Sequence, residues 1–188
     1  MKSILHFVSA IFLLAILPVS AAETGSSASG NTSFNVADRL AITNLFGAMI
    51  YGLDEKLLDQ IIGTLAPEFE AEYRIPGEPI QKVSGRGEFE KMMARRFENF
   101  KADGIQRRHI ITAPYFLEQT ADSAHVVIHI LNCTMKKHEN WHPFVSAIGE
   151  FRAIKRDGVW AFIHQIETVD TRMDMPLSKV LPMSSPQK

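Results

Sequence analysis

The chain has 188 residues, 46% of them hydrophobic and 22% charged, with a formal net charge of −1. That length and composition suit one globular domain, and the near-zero charge leaves no electrostatic footprint for nucleic acid. Cys133 is the only cysteine, which excludes a disulfide within the chain, so the core must hold without a covalent staple.

Lys2 is followed by an apolar stretch, residues 4–17, and then by Pro18, Val19, Ser20 and Ala21. A positive end, an apolar run and small residues at the cut predict a signal peptide over residues 1–21. The stretch falls short of the ~20 residues that a spanning helix needs. The expectation is therefore an exported protein, periplasmic or secreted, with no stable membrane insertion after cleavage. Residues 22–33 are mostly Ser, Gly, Ala and Thr and read as a flexible tether.

Folding is expected to begin at Phe34. Asn35 can cap a first helix to about Gly52, with Val36, Leu40, Ile42, Leu45, Phe46, Met49 and Ile50 as its apolar face. A second helix carries Leu57, Leu58, Ile61, Ile62 and Leu65 at helical spacing. Asp54 precedes that run, where a carboxylate suits a helix N-terminus, and Pro67 is expected to end it. Residues 69–74 alternate like a strand. A third helix is expected over residues 88–99, with Phe89, Met92, Met93 and Phe97 on one side.

The remainder reads as strand. Residues 107–117 alternate loosely, with Pro114 implying an edge or a bulge. Residues 124–134, 144–156 and 159–169 follow, the last two joined by Asp157-Gly158, a hairpin signal. Helices first and an antiparallel meander afterwards predict an α+β domain over residues 34–170, with the helices on one side of a curved sheet. On the strand of residues 124–134, even positions facing a pocket would put Val127, Leu131 and Cys133 outside. Apolar residues there suggest a homo-oligomer, most simply a dimer, although Cys133 also reads as a buried apolar residue. Residues 171–188 are rich in Met and Leu and read as a packed segment or a lid over a pocket.

The paired N-terminal helices, Leu53-Asp54, Leu65-Ala66-Pro67, Glu72-Tyr73-Arg74, Gly85-Arg86-Gly87 and Arg107-Arg108-His109-Ile110 together resemble the SnoaL-like group of the nuclear transport factor 2-like superfamily. Within it, scytalone dehydratase-type members are the most similar. The resemblance implies a cone-shaped barrel of one curved, mainly antiparallel sheet with three helices packed on it, enclosing an apolar pocket. It implies catalytic roles for Asp54, His109 and Tyr73. It places Tyr51, Asn132, Thr134, Gln165, Glu167 and, from the C-terminal segment, Met175 against the substrate. Met49 and Leu53 stand where relatives carry tyrosines, and Gly149 near where one carries a pocket asparagine.

An Asp–His pair suits proton transfer, because histidine can both take and give a proton near neutrality. A tyrosine can hydrogen-bond a carbonyl oxygen as negative charge develops there. The reading is a cofactor-independent lyase of the dehydratase type, acting on a small cyclic, aromatic or polyketide-like hydroxylated compound. The same dyad would serve a retro-aldol C–C lyase or a double-bond isomerase, and the fold also serves non-catalytic ligand-binding or dimerisation modules. No metal is expected. His125 and His129 share a strand face but lie ~13 Å apart, and His138 and His142 with Glu139 lack a fixed scaffold.

Overall fold

A computed structural model describes residues 35–136 and 142–170, with the backbone alone at 142–144. The expected signal peptide, tether, His138, Glu139 and C-terminal segment with Met175 lie outside the described residues. Helix α1 (Val36–Glu55) leads into the short α2 (Leu58–Ile62) and strands β1 (Leu65–Arg74) and β2 (Gln81–Ser84). Helix α3 (Arg86–Ala102) follows, then β3 (Ile105–Ile111), β4 (Tyr115–Gln119), β5 (Ser123–Lys136), β6 (His142–Arg156) and β7 (Val159–Val169).

The seven strands form one mixed sheet in the order β2-β1-β7-β6-β5-β3, with β4 also on β5. All pairs are antiparallel except β1 with β7. The α+β class and the helices packed on the sheet are as expected. The sheet is open, its end strands β2 and β3 unpaired with each other, so it is not a closed barrel. Phe46 of α1 anchors the core, its ring 4.9 Å from Phe151 on β6 and 4.7 Å from Phe162 on β7. Phe69 and Phe89 tie β1 to α3 at 5.1 Å. Val36 and Leu40, expected on the buried face of α1, are exposed.

The boundary between the first two helices differs from the expectation. Asn35 caps α1, its side chain accepting the Ala37 N–H at 2.9 Å, but α1 continues through Asp54 to Glu55. Lys56 then turns left-handed, with φ 60°, and the Leu57 N–H closes on the Gly52 carbonyl at 2.8 Å. Asp54 is therefore in the last turn of α1 and caps nothing at α2, whose N-cap is Leu57 with no side-chain bond. Gly52 is required there: a Cβ would lie 2.7 Å from Ile61 Cγ1. Leu65 and Pro67 belong to β1, not to a helix. Proline is tolerated because the β1–β7 register shifts between Leu65 and Glu70, so no ladder donor is needed at that point.

The β6–β7 hairpin turns through Asp157 and Gly158, both with positive φ (50° and 78°), as a two-residue turn between twisted strands requires. Pro114 separates β3 from β4, which pair with successive stretches of the long β5. Asp38, in the first turn of α1, is fastened to this hairpin: its carboxylate accepts from Lys155 Nζ at 2.7 Å and Trp160 Nε1 at 2.9 Å.

Candidate functional site

Alternation along β3 turns Ile105, Arg107 and His109 inward. Inward residues of β5 are Ile128, Ile130 and Asn132, and those of β7 include Gln165 and Glu167. With α1 and α3 laid across this face, they enclose a pocket of about 610 Å³ of empty space, solvent at its mouth included. Its walls combine apolar side chains, Met49, Leu53, Phe89, Met93 and Phe151 among others, with polar ones that include His109, Asn132, Gln165 and Glu167. That is the usual make-up of a small-molecule site.

The end of α1 is fastened to β3 side chain by side chain. Gln106 Nε2 donates to the Asp54 carbonyl at 2.6 Å, and Arg108 pairs with Glu55 at 3.1 Å. The Asp54 carboxylate accepts the His109 backbone N–H, at 3.1 Å to Oδ1 and 3.2 Å to Oδ2. Oδ1 also lies 2.7 Å from His109 Nδ1. An ionised carboxylate only accepts, so Nδ1 carries the proton and Nε2 is left toward the pocket. Asn132 Nδ2 is 2.9 Å from that Nε2, and its Oδ1 is buried without a hydrogen-bond partner. The carboxamide can thus meet either state of the ring. Its nitrogen donates to a bare Nε2, and after a half-turn its oxygen accepts from Nε2–H.

Tyr73 is buried on β1 beside Glu167 of β7. Burial, and then the Glu167 carboxylate, push its phenol well above the usual value, so it stays protonated and available as a donor. Gln165 Nε2 lies 3.4 Å from Glu167 Oε2. Gly149, on β6 opposite Glu167 and Ile128, keeps the floor open. A Cβ there would lie 2.8 Å from Phe151 Cε2 and 3.0 Å from Ile130 Cδ1.

Asp54, His109, Tyr73, Asn132, Gln165 and Glu167 are thus brought to one pocket region. Two expected substrate contacts are not. Tyr51 is 57% exposed, because the continuing helix α1 turns it roughly 140° away from Phe46 at ~100° per residue. Thr134 is paired with Arg107 in the unbroken β3–β5 ladder and shares its side of the sheet, but it does not line the pocket. Cys133 is fully buried rather than exposed on an outer face. His125 bonds Glu150 at 2.7 Å, away from the pocket.

Two pocket residues were not anticipated as such. Arg96 of α3 and Arg107 of β3 both line the cavity. Their positions carry a signal. Arg96 follows Met93 by three and precedes Phe100 by four, the spacing of a buried helix face. Arg107 shares strand parity with His109.

The sequence model of the SnoaL-like domain matches residues 35–165. No curated protein sequence matches the chain. Among solved structures, a protein of unknown function with a cystatin-like fold from Nostoc punctiforme is similar at 20% identity and TM-score 0.61, over 77% of this chain and 98% of that one. A candidate scytalone dehydratase from Novosphingobium aromaticivorans is similar at 16% identity and TM-score 0.62, over 76% and 90%. A hexachlorocyclohexane dehydrochlorinase is similar at 18% identity and TM-score 0.58, over 71% and 86%. At such identities the likeness is one of fold.

Proposed function

From the premise that the chain belongs to the SnoaL-like domain family, we propose that it is a cofactor-independent acid–base lyase of the dehydratase type, acting on a small hydroxylated cyclic compound. The observation that carries the reading is the 2.7 Å contact between Asp54 Oδ1 and His109 Nδ1, with the His109 ring at the wall of the pocket. Two of the structural neighbours are named for eliminations, one of water and one of hydrogen chloride.

In this mechanism His109 Nε2 takes a proton from a carbon next to a carbonyl. The C–H electron pair moves to the carbonyl oxygen, and the Tyr73 hydroxyl donates to that oxyanion. Asp54 supplies the counter-charge for the imidazolium. The enolate then collapses, the C–O bond of the neighbouring hydroxyl breaks, and His109 returns its proton to the departing oxygen as water. The carbon skeleton gains a double bond, and the histidine ends as it began. A ligand must displace Asn132 from Nε2 before the first step. That contact, at 2.9 Å, is also what favours the second reading, a pocket that binds without chemistry.

A mass-spectrometric screen of hydroxylated cyclic compounds for loss of water or formaldehyde tests the proposal and separates dehydration from retro-aldol cleavage. On the compound found, His109→Ala should lower turnover by ~10²–10⁴, and Tyr73→Phe by less, since one hydrogen bond is lost. Wild-type turnover in His109→Ala would remove the dyad from the chemistry and leave the binding reading.

A further inference from the structure

The pocket holds more charge than the proposed proton transfer uses. Arg96 and Arg107 both line it, and their guanidinium carbons lie 5.4 and 4.7 Å from the centre of the same ring, Phe100. Two like charges are therefore held around one aromatic side chain at the cavity. Burial lowers the pKa of each. For Arg107 the charge of Arg96 is the second cause, and the value falls to about 9. A guanidinium keeps its proton at neutral pH in proteins.

Among the described residues, the carboxylate of Glu167 lines the pocket and that of Asp54 lies behind His109. Asp54 is taken up by His109 through its ring and its backbone N–H. Glu167 is the carboxylate that acts on both arginines, while Tyr73 remains neutral. Arg96 Nε is buried with no hydrogen-bond partner, although a buried donor of this kind is costly to leave unpaired. Arginine corner and apolar wall thus call for different parts of one molecule.

We propose that the pocket takes its ligand as an anion, a small cyclic carboxylic acid whose carboxylate binds at Arg96 and Arg107. A guanidinium fork matches a carboxylate through parallel N–H···O bonds. The ring of the ligand lies against Met49, Met93, Phe89 and Phe151. The proposal rests on reading the cavity as a small-molecule site, and it does not depend on which reaction His109 performs.

The test is calorimetric titration of the full-length protein with matched acid and amide pairs: benzoate against benzamide, salicylate against salicylamide, and 2-naphthoate against 2-naphthamide. The expected result is at least one pair in which the acid binds tenfold or more tightly than its amide. Arg96→Gln should abolish that preference by weakening the acid and leaving the amide unchanged. Arg96→Lys, which keeps the charge without the fork, should fall between, and it guards against a Gln variant that does not fold. His109→Ala should keep the preference, so that failure of the lyase reading and failure of this one register separately. Equal affinity for acid and amide in the wild type, no binding of any probe, or equal weakening of both partners in the Arg96 variants would overturn the proposal.

Discussion

Replacing Asp54 by Asn keeps the size of the side chain and removes its charge, and the geometry sets two separate costs. Both carboxylate oxygens lie near the same donor, the His109 backbone N–H, at 3.1 and 3.2 Å. Whichever of the two positions the amide nitrogen takes, a donor faces a donor. If it takes the Oδ1 position, it also faces Nδ1 at the 2.7 Å separation and pushes the ring proton to Nε2, where it blocks proton abstraction. A buried donor left unsatisfied costs about 1–3 kcal/mol, to be read as a lower urea midpoint at unchanged slope. The loss of counter-charge and tautomer control should lower turnover, per folded molecule, by ~10²–10⁴, or about 2.7–5.4 kcal/mol of barrier at ~1.36 kcal/mol per decade. The ¹⁵N shifts of the His109 ring report the tautomer without any substrate, with Nδ1–H expected in the wild type. An Asp54→Asn protein with the wild-type urea midpoint and the Nδ1–H tautomer intact would refute the geometric reasoning. Wild-type turnover on an identified substrate would refute the catalytic part.

Gly149→Ala should destabilise the fold by about 1–3 kcal/mol and weaken ligand binding, since its Cβ would lie 2.8 Å from Phe151 Cε2 and 3.0 Å from Ile130 Cδ1. Unchanged urea midpoint and affinity would show that the floor has slack. Asp38 should make stability depend on acid pH. The hydrogen bond from Lys155, and then that from Trp160, hold its carboxyl below the usual range. Its contribution is complete above the unfolded value of ~3.9 and is lost as pH falls through the lower folded value. Asp38→Asn should flatten that limb in urea midpoints measured from pH 7 to 3, and an unaltered profile would assign the acid sensitivity elsewhere. The sheet face turned away from the pocket exposes Ile110 and Tyr115 by 51% each and Leu131 and Ile148 by 37% each. We expect a dimer through this face, which light scattering should report, and Leu131→Glu should give a monomer; a wild-type monomer at micromolar concentration would refute it.

Periodicity by itself determined much of this protein. Two-residue alternation is a local property, so the long strands β5, β6 and β7 and the turn at Asp157-Gly158 were legible to within a few residues. Helical spacing likewise marked Ile42, Phe46 and Met49 as core. What periodicity does not encode is where one helix hands over to the next. The left-handed turn at Lys56 and the close approach of Gly52 to Ile61 are settled by packing, and they moved Asp54 from a helix start to a helix end. Strand parity likewise does not encode how far a pocket extends: Thr134 keeps the parity of Asn132 on the unbroken β3–β5 ladder and still does not line the cavity. The family pattern already named Asp54 and His109, but 55 residues separate them along the chain. Their contact exists because Gln106 and the His109 N–H fasten the end of α1 to β3. The arginine pair is a product of tertiary structure in the same sense. A charged residue at core spacing on α3 and another on β3 are each ordinary alone, and they become one charged corner only when the helix lies across the sheet and excludes water from both.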